Sequence, residues 1–484
     1  MKRVKELLSK IEVKRVLGDD SQEIRALEFD SRRVAAGVCF FALRGTSSDG
    51  HSYIGRAVEA GALCVVCEEL PEEISSNVCY VEVEDSTLVM AKMAAEFYDN
   101  PSKELKVVGV TGTNGKTTTA TLLCDLMQAM GHPSGLISTV IYRVGSRTIP
   151  STHTTPDAIR LQSMFREMVD AGCTHCFMEV SSHSIAQQRI AGIEFSGAIF
   201  TNLTHDHLDY HKSFAEYLRV KKMLFDNLPK SAFALVNIDD KNGRVMVQNT
   251  KAKVYTLSLR SMAEYRCRII EMLFDGMLLK VGEDEVWVHQ PGRFNAYNLL
   301  SVYAAAELLG CDGREALLVL STLKAVDGRF VVIRAKDGRV AIVDYAHTPD
   351  ALENVILTIE EIRRPEQQLF VLCGCGGERD RTKRPEMARI AINYASTAIF
   401  TSDNPRHEDP EAILDEMTEG LDGSARYLRI ADRKQAIRSA VMLSKPNDII
   451  LVAGKGHEDY QIVGDKKLHF DDREEVKEAF STLG

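Results

Sequence analysis

Nothing constrains this chain more than the run Val107-Val108-Gly109-Val110 and the loop after it, Thr111-Gly112-Thr113-Asn114-Gly115-Lys116-Thr117-Thr118-Thr119. The first four residues are apolar and mostly β-branched, as a buried strand requires, and Ala120 to Met130 reads as a helix. Strand, glycine loop and helix in that order make a phosphate cradle. The glycines let backbone N–H groups converge on an anion, and the helix N-terminus adds a favourable dipole. Lys116 is expected to place its charge on the β- and γ-phosphates of a nucleotide, and Thr117 to offer its hydroxyl to Mg²⁺. A glycine-rich turn with an incidental lysine is the bland alternative, and it has no need of the flanking strand and helix. The strict G-x-x-x-x-G-K-[ST] spacing fails, because Val110 stands where the first glycine belongs. Generic P-loop enzymes are therefore not the nearest match.

A chain of 484 residues is too long for one domain of typical size, so two to four are expected. A formal charge of −10 argues against nucleic-acid binding through bulk electrostatics, but leaves local anion sites open. Met1–Arg15 has no apolar signal core, and no apolar run is long enough to span a bilayer, so a cytoplasmic protein is expected. The eleven cysteines include the pairs Cys64/Cys67, Cys173/Cys176 and Cys373/Cys375. The first pair lies in the apolar run Ala62–Cys67. Small buried hydrophobes explain these residues better than a metal site, and the odd count argues against a disulfide framework.

Strand-like runs at Val38–Leu43, Leu63–Glu68 and Val78–Val83 alternate with helix-like stretches at Ile54–Ala60 and Thr87–Tyr98. Asp99–Glu104, with its Asn100-Pro101 step, reads as a linker. A second region opens with the strand Leu105–Val110 and lasts to about residue 326. A third carries strands at Val340–Asp344, Gln368–Cys373, Thr397–Thr401 and Asp448–Ala453. Alternating strands and helices predict parallel sheets, giving three α/β domains over residues 1–104, 105–326 and 327–484.

Glu179 closes the strand-like run Phe177–Val180, and a carboxylate at that edge near a phosphate loop suits Mg²⁺. The segment Thr204-His205-Asp206-His207-Leu208-Asp209-Tyr210-His211 follows the strand-like run Ile199–Leu203. One or two of its side chains are expected as metal ligands, His207 first. Histidines alone would suggest zinc, but the phosphate loop favours magnesium. On the helix Phe214–Leu228, Lys221 and Lys222 point about 100° apart and cannot share one role. Taken alone, both read as solvated.

The strings TGTNGKTT, MEVSSH (Met178–His183), TNLTHDHLDYH (Thr201–His211), GRFNAYN (Gly292–Asn298), DYAHTPD (Asp344–Asp350), DNPR (Asp403–Arg406) and AGKGHEDYQ (Ala453–Gln461) together resemble the Mur ligase family over nearly the whole chain. They are most similar to the members that add the third residue of the peptidoglycan stem. The resemblance implies an N-terminal UDP-binding domain, a central ATPase and a C-terminal Rossmann-like domain for the incoming amino acid. It also implies a reaction. ATP phosphorylates the γ-carboxylate of D-glutamate in UDP-MurNAc-L-Ala-D-Glu, the amine attacks the acyl phosphate, and phosphate leaves.

Site roles are likewise implied by resemblance. Gly112, Thr113, Asn114, Gly115, Lys116, Thr117 and Thr118 bind ATP, with Asn295, Asn298, Arg329, Asp344 and His347 around the adenosine. Thr117, Glu179 and His207 form the magnesium environment. Lys221 matches the lysine carbamylated in this family, which removes it from the solvated reading. Ser31 and the turn Gly45–Gly50, with Thr46, resemble the uridine pocket. Thr154, Thr155, Ser181, Gln187 and Arg189 resemble the muramoyl-peptide site. Val331 departs from the family's usual glutamate, and Thr46-Ser47-Ser48 is richer in hydroxyls than expected.

meso-Diaminopimelate differs from lysine by a second carboxylate, which an arginine fork recognises well. Arg406 with Arg379, Asp403, Asn404, Pro405, Gly454 and Glu458 resembles the pocket of the diaminopimelate-adding members. The bland reading of Arg406 is a surface residue paired with Glu408 or Asp409. Rival functions are a lysine-adding ligase, a folylpolyglutamate-synthetase-like ligase and a non-catalytic nucleotide-binding module. A monomer acting on small molecules is expected, without nucleic acid or membrane.

Overall fold

The computed structural model describes residues 1–45, 48–204, 206, 208–422 and 426–483, with the backbone alone at Leu208 and Asp209. Three principal sheets build the molecule, each with its own buried layers.

The first sheet has five strands, ordered Arg15–Leu17, Cys79–Glu82, Cys64–Cys67, Val38–Phe41 and Ala26–Glu28. The three expected strands are present, shortened by a residue or more. All eleven cysteines are free thiols, and Cys311 alone is not fully buried. Burial pushes the Cys67, Cys124, Cys267 and Cys375 thiols up to about 12, which keeps them protonated and inert. The expected linker is a packed turn instead. Pro101 and Ser102 are buried, and Ser102 Oγ accepts from Glu194 N at 3.1 Å.

The central sheet has eleven strands, and Lys106–Thr111 lies inside it between His175–Glu179 and Phe195–Phe200, parallel to both. Val108 and Val110 face one hydrophobic layer and Val107 the other, so the strand is apolar throughout, as one covered on both faces must be. The expectation of parallel sheets fails at the edges. Ile141–Val144 and Arg147–Pro150 form an antiparallel hairpin at one side. At the other, Tyr265–Leu273, Gly276–Val281 and Asp284–Val288 form an antiparallel meander. The sequence holds its physical cause: Asp275-Gly276 is a tight-turn signal, and Tyr265–Leu273 is largely exposed on one face. A Cβ at Gly276 would lie 2.1 Å from Val288 O, so this turn admits only glycine.

The third sheet has six strands, ordered Val331–Arg334, Val340–Asp344, Ile449–Ala453, Leu369–Cys373, Thr397–Phe400 and Tyr427–Arg429, with the first antiparallel to its neighbour. Val331 begins the edge strand opposite Val343. Among the described residues no helix is long and apolar enough to cross a membrane.

Candidate active site

The carboxyl ends of the central parallel strands open into a cleft of about 600 Å³. That edge is where open α/β sheets present ligands. The strand Lys106–Thr111 delivers the glycine loop there, and the helix Lys116–Ala129 starts four residues earlier than its apolar pattern suggests. Gly115 explains the early start, since its φ of +87° turns the chain directly into the helix. A Cβ at Gly115 would lie 2.4 Å from Asn298 Oδ1, and one at Gly112 would lie 1.9 Å from Thr201 Oγ1. Asn202 fixes the loop from outside: its carbonyl accepts from Thr113 N and its side-chain oxygen from Asn114 N, both at 2.9 Å. Gly115→Ala is expected to cost about 1–2 kcal/mol in backbone strain and to displace Asn298, so nucleotide affinity falls before the fold does. Calorimetric titration with ADP beside a thermal melt checks this; unchanged affinity with a lowered Tm contradicts it.

Lys116 lines the cleft, but its ammonium turns back onto its own loop. Its Nζ donates to the carbonyls of Gly112 at 2.9 Å and Thr113 at 2.8 Å. A buried ammonium needs acceptors, and these loop carbonyls are within reach in the chain alone. Lys221 donates to the same Gly112 oxygen at 2.8 Å and is 1% exposed, so the solvated reading fails for it. Burial, and then the charge of Lys116, hold its amine well below the usual lysine range. Lys222 differs from its solvated reading too: its side chain is largely covered and pairs with Asp226 at 2.5 Å.

Glu179 ends its strand at 1% exposure, and its carboxylate accepts from Thr139 N at 2.7 Å and Thr139 Oγ1 at 3.2 Å. Both Glu179 and the Thr117 hydroxyl line the cleft, offering the hard oxygens that Mg²⁺ takes alongside phosphate and water. Among the described residues no three His, Cys, Asp or Glu side chains converge as a complete cage. His207 and Thr46 lie outside the described residues.

Around the expected adenosine site the residues divide. Arg329 crosses to the glycine loop, donating to Thr117 Oγ1 at 3.2 Å above the Tyr345 ring. Asp344 accepts from Phe330 N at 2.7 Å, and burial raises its carboxyl. Burial likewise pushes the His347 imidazole down to about 4, so it is neutral at pH 7. Asn298 lines the cleft, but Asn295 does not: its donors close on Pro291 O at 2.8 Å, and its oxygen accepts from Asn298 at 3.1 Å. Asn295 therefore lies behind the cleft lining and holds its neighbour Asn298.

Thr154 and Ser181 also line the cleft. Thr155 is buried, donating to Glu179 O at 2.9 Å, and so acts on the strand end. Arg189 donates to Thr155 O at 2.6 Å and to Gln187 Oε1 at 2.6 and 3.0 Å, so these three form one polar unit. Ser31 stands apart, in the N-terminal turn Ser31–Arg33.

A second polar cluster occupies the carboxyl edge of the third sheet. Arg406 has φ +53° and donates to Gly377 O at 2.7 Å; Glu408 and Asp409 are engaged elsewhere, which rules out the surface-pair reading. Asn404 donates to Glu458 at 2.8 Å and accepts from buried Lys455 at 3.2 Å. A Cβ at Gly454 would lie 2.5 Å from Asp403, and one at Gly377 would strike Pro405 O at 2.0 Å. The charge of nearby Arg379 adds to burial in lowering the Arg406 guanidinium. Of these residues Arg379 lines the larger cleft, linking the clusters.

The sequence reading missed several contributors. Asp350 accepts from Asn114 Nδ2 at 2.6 Å and ties the glycine loop to the third sheet's domain. Ser182 lines the cleft with a buried hydroxyl that has no partner among the described atoms. Its position beside Ser181 in MEVSSH was the available signal.

Three family profiles match in order: "Mur ligase family, catalytic domain" over residues 23–98, "Mur ligase middle domain" over 110–306, and "Mur ligase, glutamate ligase domain" over 328–456. A Phocaeicola vulgatus protein named UDP-N-acetylmuramoyl-L-alanyl-D-glutamate–2,6-diaminopimelate ligase is 52% identical over 481 residues, covering 99% of each chain. A Listeria innocua protein of the same name is 39% identical, covering 99% of this chain and 98% of its own. A solved structure of a ligase so named superposes with a TM-score of 0.70 at 31% identity, over 100% of this chain and 99% of the other. With three consecutive profiles, full-length relatives and a nucleotide-type loop in its predicted place, the chain belongs to the Mur ligase family.

Proposed function

We propose that this protein is the ATP-dependent ligase that joins meso-2,6-diaminopimelate to the D-glutamate γ-carboxylate of UDP-MurNAc-L-Ala-D-Glu. The observation that carries the choice of amino acid is the Arg379–Arg406 pair beside Asp403, Asn404 and Glu458, a site with charges of both signs for a zwitterionic side-chain end. The full-length relatives bearing that name support the same reading. Residues 1–104 then hold the UDP group, 105–326 the nucleotide, and 327–484 the amino acid. A cytoplasmic monomer is part of this reading.

In the mechanism, the glycine loop Gly112–Thr118 and Lys116 grip the phosphates of ATP, with Lys116 turning from the loop carbonyls to the migrating charge. The substrate γ-carboxylate attacks the γ-phosphorus, ADP leaves, and an acyl phosphate forms. The diaminopimelate amine then attacks the acyl carbon, phosphate leaves, and the amine proton passes to solvent or phosphate. Thr117, Glu179, His207 and a Lys221 carbamate are the residues that would hold magnesium, which supplies charge neutralisation. Arg189, with Gln187, Thr154, Thr155 and Ser181, orients the muramoyl peptide; Ser31 and Thr46 serve the uridine end. Asn298, Asp344 and His347 flank the nucleoside.

Product mass decides the reading when purified enzyme is offered ATP, UDP-dipeptide, and equal lysine and diaminopimelate. The expected product carries diaminopimelate. A lysine product favours the lysine-adding alternative, and phosphate release indifferent to both co-substrates favours a non-catalytic module. Arg406→Ala is expected to raise KM for diaminopimelate about ten- to a hundredfold, the value of a charge-assisted hydrogen bond, with KM for ATP nearly constant. Initial rates at varied concentrations of each substrate check this; an effect confined to ATP contradicts it.

A further inference from the structure

Arg384 is among the largest side chains buried completely, and it lies outside both polar clusters, on the helix Lys383–Tyr394. Its guanidinium donates to Glu408 at 3.0 and 3.1 Å, to Glu416 at 2.7 Å and to Gly376 O at 3.3 Å. Glu408 also accepts from Glu378 N and, at 3.3 Å, from Arg381. Two loops therefore meet on one buried charge. One runs from Leu369–Cys373 through Gly376, Gly377 and Glu378 to Arg379. The other runs from Thr397–Phe400 through Arg406 to Glu408. Their backbones touch directly, with Gly377 N donating to Asn404 O at 3.0 Å. A Cβ at Gly376 would lie 3.0 Å from Arg406 Nη1, so there is little slack between the loops.

We infer that Arg384, acting through Glu408, is a positioning residue that sets the spacing and aim of Arg379 and Arg406, and thereby the preference for an amino donor with a second carboxylate. This rests on the reading of that arginine pair as the carboxylate site. A planar guanidinium can hold Glu408, Glu416 and a loop carbonyl at once; a lysine ammonium lacks that fork. Buried ion pairs of this kind are weak sources of stability, since desolvation offsets most of their attraction. Their geometric effect is larger, because an arginine pair displaced by an ångström meets a carboxylate poorly.

The experiment compares Arg384→Lys and Glu408→Gln with the unaltered enzyme, measuring kcat and KM for diaminopimelate, lysine and ATP beside a thermal melt. Both variants are expected to raise KM for diaminopimelate about tenfold and to shrink its advantage over lysine by a similar factor, with KM for ATP within about twofold. In an Arg406→Ala background, Arg384→Lys should add little further loss, because the group it positions is gone. A parallel fall for both amino donors, additive losses with Arg406→Ala, or a lowered Tm with unchanged discrimination each overturns the inference. If Arg384→Lys does not fold, Glu408→Gln carries the same test, since it keeps the side chain's shape. Should Arg406→Ala alone leave diaminopimelate kinetics unchanged, the carboxylate-site reading fails, which separates that failure from this one.

Discussion

Replacing Lys116 with alanine should abolish turnover, lowering kcat by about a thousandfold or more, because phosphoryl transfer depends almost wholly on positioned positive charge. The fold should survive. Lys116 donates to carbonyls of its own loop, and the loop is fixed independently by Asn202, Thr201 and Tyr217. Lys116→Ala also removes one of two ammonium groups meeting at Gly112 O, so Tm should not fall. Phosphate release measured with both co-substrates present reads the effect directly. Residual activity above about a tenth of normal would show that the loop's backbone N–H groups suffice, and would remove Lys116 from the catalytic set.

Lys221→Ala should have the next largest effect, a loss of about a hundredfold or more, partly restored by formate or acetate. The geometry argues for this. Lys221 and Lys116 both reach Gly112 O, an arrangement that is repulsive between two cations and attractive between a cation and an anion. Carbamylation makes that conversion: the neutral amine attacks CO₂, a C–N bond forms, and one proton is released. In the proposed reading the carbamate would add a carboxylate-like group to a cleft that Lys221, Thr117 and Glu179 all line. Intact-protein mass in bicarbonate buffer should show the added CO₂ in the unaltered enzyme and none in Lys221→Ala. A fully active Lys221→Ala would refute the role.

The glycine loop was legible because its information is local. Gly112 and Gly115 are demanded by backbone approach within a few residues, and the apolar run before them can only be a buried strand. Glu179 was legible from its place at a strand end near the phosphate loop, whereas the role proposed for Lys221 was reachable only through family resemblance, because periodicity gives Lys221 and Lys222 equal standing. Asn295 shows the opposite limit. It shares a motif with Asn298, but Asn298 and Ser301 line the cleft while Asn295 spends its donors on Pro291 O. Strand positions followed from hydrophobic runs, but the antiparallel edges depended on turns such as Asp275-Gly276, whose weight the alternation argument underrated.

By itself the sequence determined the phosphate loop, the three-part α/β organisation and the family, since each is written in contiguous residues or in their order. Tertiary structure alone decided which charges share a space. Lys116 and Lys221 are 105 positions apart by number and meet on one carbonyl oxygen; Asn114 and Asp350 join two domains; Arg384 binds the loops bearing Arg379 and Arg406. The physical reason is range. Backbone conformation is set by neighbours along the chain, whereas the electrostatics of a buried site depend on groups brought together by folding, which spacing along the chain does not encode.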